Sequence, residues 1–366
     1  MRYLFIVQGD GRGHITEALS LQQILLRHGH EVVEMLAGVS EKRTIPEYFA
    51  RQAGIPVKTF KAVNFILGKD DKRPDMFRTV SEGLLLYPQF TPSIRFVADE
   101  IIRIRPDVIV NFYETVGQFA FQRARMEFSR KNRPKYVSLA HHHTFQLPEL
   151  KWVQNAVSGA NLLTWLIGHG ADKVVAIASR PYPSTKKITV IPPLLRSALY
   201  QYRDADGRPT AALRDDGFIC GYLLNAGFAD EVIAWHQAHP EVPLYFFWDS
   251  LEHGEEYRYD DTLTFHHLDD TLFLEKLASC HACAMTSGFE SVCECIYLGK
   301  PMLLVPVHEE QRVNATVFEK YGYGILSESF DLSPLLDFEA HFPDQAELDW
   351  FNAAEEKVLQ ALTEFS

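Results

Sequence analysis

Short unbroken apolar runs alternate along this chain with segments whose apolar positions recur every three or four residues. Tyr3 to Val7 is the first such run, the length of a buried strand, and Ile15 to His28 is the first amphipathic segment, stopped by Gly29. Glu31 to Leu36 reads as a strand, Ile45 to Ala53 as a helix and Val57 to Phe60 as a short strand. After the polar stretch Gly68 to Asp75, Phe77 to Ile104 reads as helical with breaks near Pro88 and Pro92. Asp107 to Phe112 is a strand, Val116 to Phe128 a helix and Lys135 to Ala140 a strand. Strands separated by helices pair in parallel, because a parallel pair needs a crossover of about this length.

The strand-like "KITVI" then runs into a Pro-Pro break within Lys187 to Arg196, and a turn-rich, charged stretch follows it. A second alternating series begins there. It comprises strand Phe218 to Leu224, helix Ala229 to His239, strands Leu244 to Trp248 and Leu263 to His267, helix Thr271 to Ser279, strand Ala282 to Thr286, helix Phe289 to Leu298, strand Met302 to Val307 and helix Arg312 to Tyr321. A last helix, Asp344 to Leu362, is long enough at ~1.5 Å per residue to lie across both halves. The expected fold is therefore α/β, with two doubly wound, Rossmann-like domains facing across a cleft. Residues 1–190 form the first, 191–345 the second, and 346–366 a C-terminal helix packing across both. Ligands of such sheets bind beyond the carboxyl ends of the strands.

A chain of 366 residues has room for two cores, and 46% hydrophobic with 23% charged residues is a globular composition, which excludes extended disorder. The net charge of −12 argues against generic nucleic-acid binding, which relies on Lys and Arg. The first residues lack a signal-peptide core and no stretch of 18 apolar residues occurs, so a cytoplasmic location is expected. The basic run Arg123, Arg125, Arg130, Lys131, Arg133 and Lys135 has two readings, a peripheral contact with an anionic inner membrane face or a solvated helix end. The five cysteines all lie in the second half; Cys280, Cys283, Cys293 and Cys295 read either as a zinc site or, by their place in a buried strand and helix, as small apolar fillers.

Two stretches carry candidate chemistry. "GDGRGH", from Gly9 to His14, follows the first strand with glycines that allow tight turning, but its spacing is neither the dinucleotide fingerprint nor a Walker loop. That disfavours an NAD-dependent oxidoreductase. In the second half, the strand ending at Thr286 is followed by Ser287, Gly288 and at once a helix. A helix start offers unpaired N–H groups and partial positive charge, so a diphosphate can rest over Gly288, Phe289 and Glu290. Glu294, one turn on, is placed to accept from a ribose diol; alternatively Glu290 and Glu294 only complement the helix dipole. His308, Glu309, Glu310 and Gln311 close the next strand with the carboxylate and carboxamide groups that suit a polyol.

The residues "SGFESVCE", "LGKPMLLVPV" and "EQRVNA" resemble the donor-binding signature of the UDP-glycosyltransferase superfamily with the glycosyltransferase-B fold, and the G-x-G-x-G-H opening resembles its acceptor-side loop. The resemblance covers both halves. It implies an inverting, metal-independent transfer of a sugar from a nucleoside diphosphate donor, with that nucleotide sugar as substrate and no cofactor. It makes Glu294 the ribose ligand, Gly288, Phe289, Glu290 and Ser291 the diphosphate cradle, and Glu310 and Gln311 the sugar contacts, with Asn314 and Ala315 completing the motif. His14 becomes the base for the acceptor hydroxyl, with Gly11, Arg12 and Gly13 shaping the acceptor side.

The family orients its base histidine with an Asp at the strand end that here holds Asn111. Glu114 can take over that role as a second catalytic residue, or Asn111 can hydrogen-bond the ring. His141, His142 and His143 follow another strand; in an extended chain neighbours point to opposite sides, so an acceptor-lining loop through His142 is favoured over a metal site. Asn225 and Gly227 are positional candidates for the phosphates, and the backbone at Leu268 for the base; uridine rests on the resemblance alone. The acceptor is a small molecule, a glycan or a lipid-linked group, received near Phe65 to Asp75, "LLLYPQF" and Trp152 to Trp165, where interdomain packing is the competing reading. Two other functions share these features, a nucleotide-sugar 2-epimerase and a non-catalytic nucleotide-sugar-binding protein.

Overall fold

The computed structural model describes residues 1–9, 11–40, 45–62, 87–154, 156–224, 226–250, 253–338 and 342–365. The expected polar insertion Phe65 to Asp75, "LLLYPQF" up to residue 86, and Asn225 lie outside them. The chain divides into two compact units, Met1–Arg196 with Trp350–Ser366, and Ser197–Asp349. Among the described residues no helix is long and apolar enough to cross a membrane.

The first unit is built on seven parallel strands in the order β3-β2-β1-β4-β5-β6-β7. They are β1 (Arg2–Gln8), β2 (Glu31–Val39), β3 (Val57–Lys61), β4 (Val108–Phe112), β5 (Lys135–Ala140), β6 (Lys173–Ile177) and β7 (Ile188–Ile191). Tyr3 to Val7 of β1 are fully buried on both faces, which is why the central strand reads as an unbroken apolar run rather than as an alternation. Its helices are α1 (Arg12–Arg27), α2 (Glu47–Ala53), α3 (Tyr87–Ile104), α4 (Thr115–Ala124) and α5 (Ser158–Gly168). The order of strands reverses between β1 and β4, so the crevice at their carboxyl ends is the natural ligand position of this sheet.

The second unit repeats the plan with the order β10-β11-β9-β8-β12-β13-β14. Its strands are β8 (Ile219–Tyr222), β9 (Leu244–Trp248), β10 (Glu256–Arg258), β11 (Leu263–His267), β12 (Ala282–Met285), β13 (Met302–Leu304) and β14 (Ile325–Leu326), of which only β10 runs antiparallel. The helices are α6 (Ala229–Ala238), α7 (Asp270–Ser279), α8 (Phe289–Leu298) and α9 (Glu309–Lys320). Here the reversal falls between β8 and β12. Phe246 of β9 is fully buried, and its ring lies over Gly221 of β8, where an added Cβ would overlap ring carbons. Gly221→Ala is therefore expected to destabilise by about 1–3 kcal/mol, the range for overpacking a core, read as a lower urea midpoint.

Three expectations about elements are corrected. The helix placed at Ile15 starts three residues earlier, at Arg12. The region from Phe77 is described only from Tyr87, where α3 continues through Pro92 without a break although the proline removes one intrahelical hydrogen bond. The single helix from Asp344 to Leu362 is two, α10 (Gln345–Asn352) and α11 (Ala354–Thr363), turning at Ala353. The two halves answer to separate contacts: Trp350 of α10 donates its indole N–H to Ala178 O at 2.9 Å, while Glu355 of α11 pairs with Arg27 and His28. Strand β6, with the apolar run Val174 to Ile177, is added to the expected elements, as are β10 and β14, which are too short to be read from sequence.

Candidate active site

At the carboxyl end of β1 the chain turns directly into α1. Gly9 donates its N–H to Gly38 O at 2.7 Å, and a Cβ at Gly9 would lie 2.7 Å from that same oxygen, so this glycine is imposed by the close pass of β2. Gly11 is the N-cap of α1, and its N–H is held by Gln8 Oε1 at 3.2 Å. Arg12, Gly13 and His14 are thus the first three helical residues, whose N–H groups have no intrahelical partner. His14 is 8% exposed, and its Nδ1 lies 3.0 Å from Oε2 of Glu17, three residues along the same helix and 1% exposed.

The end of β4 packs beside it. Tyr113, at φ 57°, is a strained non-glycine residue in the left-handed region, the kind of backbone that clusters at functional sites. Its hydroxyl bonds Thr164 Oγ1 at 2.8 Å, and its ring stacks on His142 at 3.8 Å. Asn111 does not reach His14: its amide donates to Glu114 O at 2.8 Å and to the Tyr136 hydroxyl, and its Oδ1 accepts from Glu114 N at 2.7 Å. The ring bond expected of Asn111 is replaced by a buried turn linking β4 to α4. Glu114 is the N-cap of α4, its Oε1 accepting from Val116 N at 2.9 Å.

The three histidines after β5 are not extended, as the sequence reading assumed, but lie in a 3₁₀ turn, His141–Gln146. The tight turn puts His141 and His142 side by side, with ring centroids 3.9 Å apart, instead of on opposite sides. Both face the base candidate: His14 is 6.0 Å from the His141 ring, 5.8 Å from His142 and 5.9 Å from Tyr113. His143 turns into the core, where its Nε2 meets Ser138 Oγ at 2.9 Å. Burial, with His141 nearby, pushes the His143 pKa down from 6.5 to about 3. Between those values the unfolded chain binds a proton that the folded chain refuses, so stability falls as pH drops below 6.5. From pH 7 to pH 5 this residue is expected to remove about 2 kcal/mol, so His143→Gln should flatten the pH dependence of the unfolding free energy, measured by urea titration, by that amount.

In the second unit β12 ends at Met285, and Ser287 and Gly288 lead into α8. Gly288 is the N-cap and offers no capping side chain, and the first turn after it is formed by Phe289, Glu290 and Ser291, whose N–H groups point toward the N-terminal end of the helix. The Gly288 φ of −66° suits any residue, and a Cβ built there meets nothing within 4 Å. No protein contact requires the glycine. Ser287 is fully buried, and its Oγ has no hydrogen-bond partner among the described residues. Glu294, one turn along α8, is 3% exposed. A helix start with glycine as its N-cap, open space at that glycine and a hydroxyl without a partner among the described residues thus meet at the point where the strand order reverses.

Comparison with known proteins adds the family. The model of glycosyl transferase family 1 matches residues 1–343. The chain belongs to that family. No curated protein sequence matches it. Its fold is that of the glycosyltransferase-B enzymes. The chain superimposes on the kitacinnamycin glycotransferase with a TM-score of 0.58 at 15% identity, covering 98% of this chain and 93% of that one. Against MurG of Acinetobacter baumannii the TM-score is 0.57 at 16% identity, covering 99% of each. Against UGT2 of Phytolacca americana, complexed with UDP-2-fluoro-glucose and pterostilbene, it is 0.56 at 12% identity, covering 99% and 94%.

The remaining expected residues of this glycosyltransferase are placed as follows. Glu310 and Gln311 sit in the first turn of α9, which begins at Glu309 rather than at Arg312. Gln311 Oε1 accepts from Val307 N at 3.0 Å, and Glu310 contacts Asn314 Nδ2 and, at 3.4 Å, His308 Nδ1, so both brace the strand-to-helix turn. Leu268 is half-buried just before Asp269, the N-cap of α7. Gly227 lies in a short 3₁₀ turn before α6. The five cysteines are buried and free, and burial pushes the thiols of Cys220, Cys280, Cys283 and Cys295 up. Of the basic run, Arg133 and Lys135 pair with Asp172. Glu17 and Tyr113 belong to no sequence motif; the i, i+3 spacing of His14 and Glu17 is the signal for Glu17, and it is visible only with the helix starting at Arg12.

Proposed function

We propose that this glycosyltransferase moves a sugar from a nucleoside diphosphate donor to an acceptor hydroxyl, with inversion at the anomeric carbon and without a metal ion. The observation that carries the reading is the start of α8: a glycine N-cap with nothing within 4 Å of its Cβ position, next to the buried Ser287 hydroxyl, which has no hydrogen-bond partner among the described residues. A leaving diphosphate needs positive charge and hydrogen-bond donors, and this helix end offers both. The N–H groups of Phe289, Glu290 and Ser291 and the Ser287 hydroxyl hold its oxygens, and Glu294 accepts from the ribose diol. Glu310 and Gln311 contribute to the sugar. The UDP-2-fluoro-glucose bound by the Phytolacca enzyme supports a nucleotide sugar, with uridine as the base read by the backbone at Leu268.

In the first unit His14 is the base. It removes the proton of the acceptor hydroxyl as that oxygen attacks the anomeric carbon, while the bond to the diphosphate breaks. The crowd of rings from Tyr113, His141 and His142 around it lines the acceptor side. The acceptor is a small molecule, a glycan or a lipid-linked group. The test is a screen of UDP- and TDP-sugars for nucleoside diphosphate release with and without hydroxyl acceptors. Acceptor-dependent release by the native protein, lost on Glu294→Ala, is the expected result. Interconversion of donor sugars with no acceptor present would contradict it and indicate an epimerase.

A further inference from the structure

We infer that Glu17 is the positioning residue for His14, a role that rests on His14 being the base. Three observations point to it. The Glu17 carboxylate lies 3.0 Å from His14 Nδ1. It is 1% exposed, so its charge acts with little solvent screening. The two residues are three apart on α1, and both ride on the first turns of one helix packed against β1, which fixes their separation without help from a loop.

The end of β4 carries the other carboxylate weighed for this role, Glu114. Asn111 spends its amide on the Glu114 backbone and the Tyr136 hydroxyl, and Glu114 caps α4 through Val116 N. A carboxylate at Nδ1 holds the imidazole as the tautomer with its proton on Nδ1, which leaves the lone pair on Nε2 to take the acceptor proton. The rings of the first unit that the imidazolium then formed faces, His141 and His142 from the turn after β5 and Tyr113 from the end of β4, carry no carboxylate. Glu17 supplies one. The ring contacts set the plane of the imidazole, and the carboxylate sets its rotation and tautomer.

The test compares Glu17→Ala and Glu17→Gln, each alone and combined with His14→Ala. The probe is whichever of UDP-glucose, UDP-N-acetylglucosamine and TDP-glucose gives the fastest nucleoside diphosphate release with the native protein. Glu17→Ala is expected to lower kcat on the order of 10²-fold, within the range for general-base catalysis, with KM for the donor unchanged. The acid limb of the rate profile should move to lower pH, because loss of a neighbouring anion disfavours the imidazolium. Glu17→Gln, isosteric and still able to accept a hydrogen bond, should fold and lie between. In the His14→Ala background neither substitution should cost anything further. The inference is overturned if His14→Ala is impaired while Glu17→Ala keeps the native kcat and pH profile, or if the two losses multiply. Full activity in His14→Ala would instead remove the base reading itself.

Discussion

Replacing His14 by alanine is expected to lower kcat by about 10²- to 10⁴-fold, the range a general base contributes, and to leave the affinity for a nucleoside diphosphate unchanged. The separation follows from the fold. His14 belongs to the first unit, at the carboxyl end of β1, whereas the α8 helix start belongs to the second. The substitution deletes a ring that is 8% exposed at the first turn of α1, so a small loss of stability is expected alongside it. Initial rates of nucleoside diphosphate release, set beside a calorimetric titration of UDP, distinguish a lost base from a lost fold. Equal loss of rate and of UDP binding would count against the role given to His14.

Gly288→Asp is expected to move stability and binding in opposite directions. Its φ of −66° and ψ of 132° are ordinary for an N-cap, and a Cβ there meets nothing within 4 Å, so the backbone accepts the change. Aspartate is among the best N-caps, worth only a few tenths of a kcal/mol over glycine. The thermal midpoint should therefore hold or rise slightly. The new carboxylate, however, would bond the same N–H groups and set a negative charge about 4 Å from the proposed phosphate site. At an effective dielectric of 20 that repulsion is about 4 kcal/mol, enough for a fall in affinity of roughly 10²- to 10³-fold. A variant that binds UDP like the native protein would place the diphosphate somewhere else.

The architecture was legible because both sheets are parallel and buried. Runs such as Tyr3 to Val7 and Ala282 to Met285 have no polar face, and the helices between them carry a clear three-to-four spacing. Gly288 and Glu294 could be placed on a helix start for the same reason. What escaped depends on where elements begin. Reading α1 from Ile15 left His14 in a loop and hid Glu17, whereas Gly11 as N-cap brings both onto one helix face. Histidine carries no strong signal for a 3₁₀ turn, so the packing of His141 against His142 could not be foreseen from their order in the chain. The corner at Asn111 needed Tyr136, a partner from the neighbouring strand that sequence spacing does not reveal.

The most direct measurement is a calorimetric titration of UDP, and separately of TDP, into the native protein, Gly288→Asp and His14→Ala. One nucleoside diphosphate should bind at a single site on the native protein and on His14→Ala with the same affinity, and the binding should be lost in Gly288→Asp. Binding of neither nucleotide, or an affinity that Gly288→Asp leaves untouched, would contradict a diphosphate seated on the start of α8.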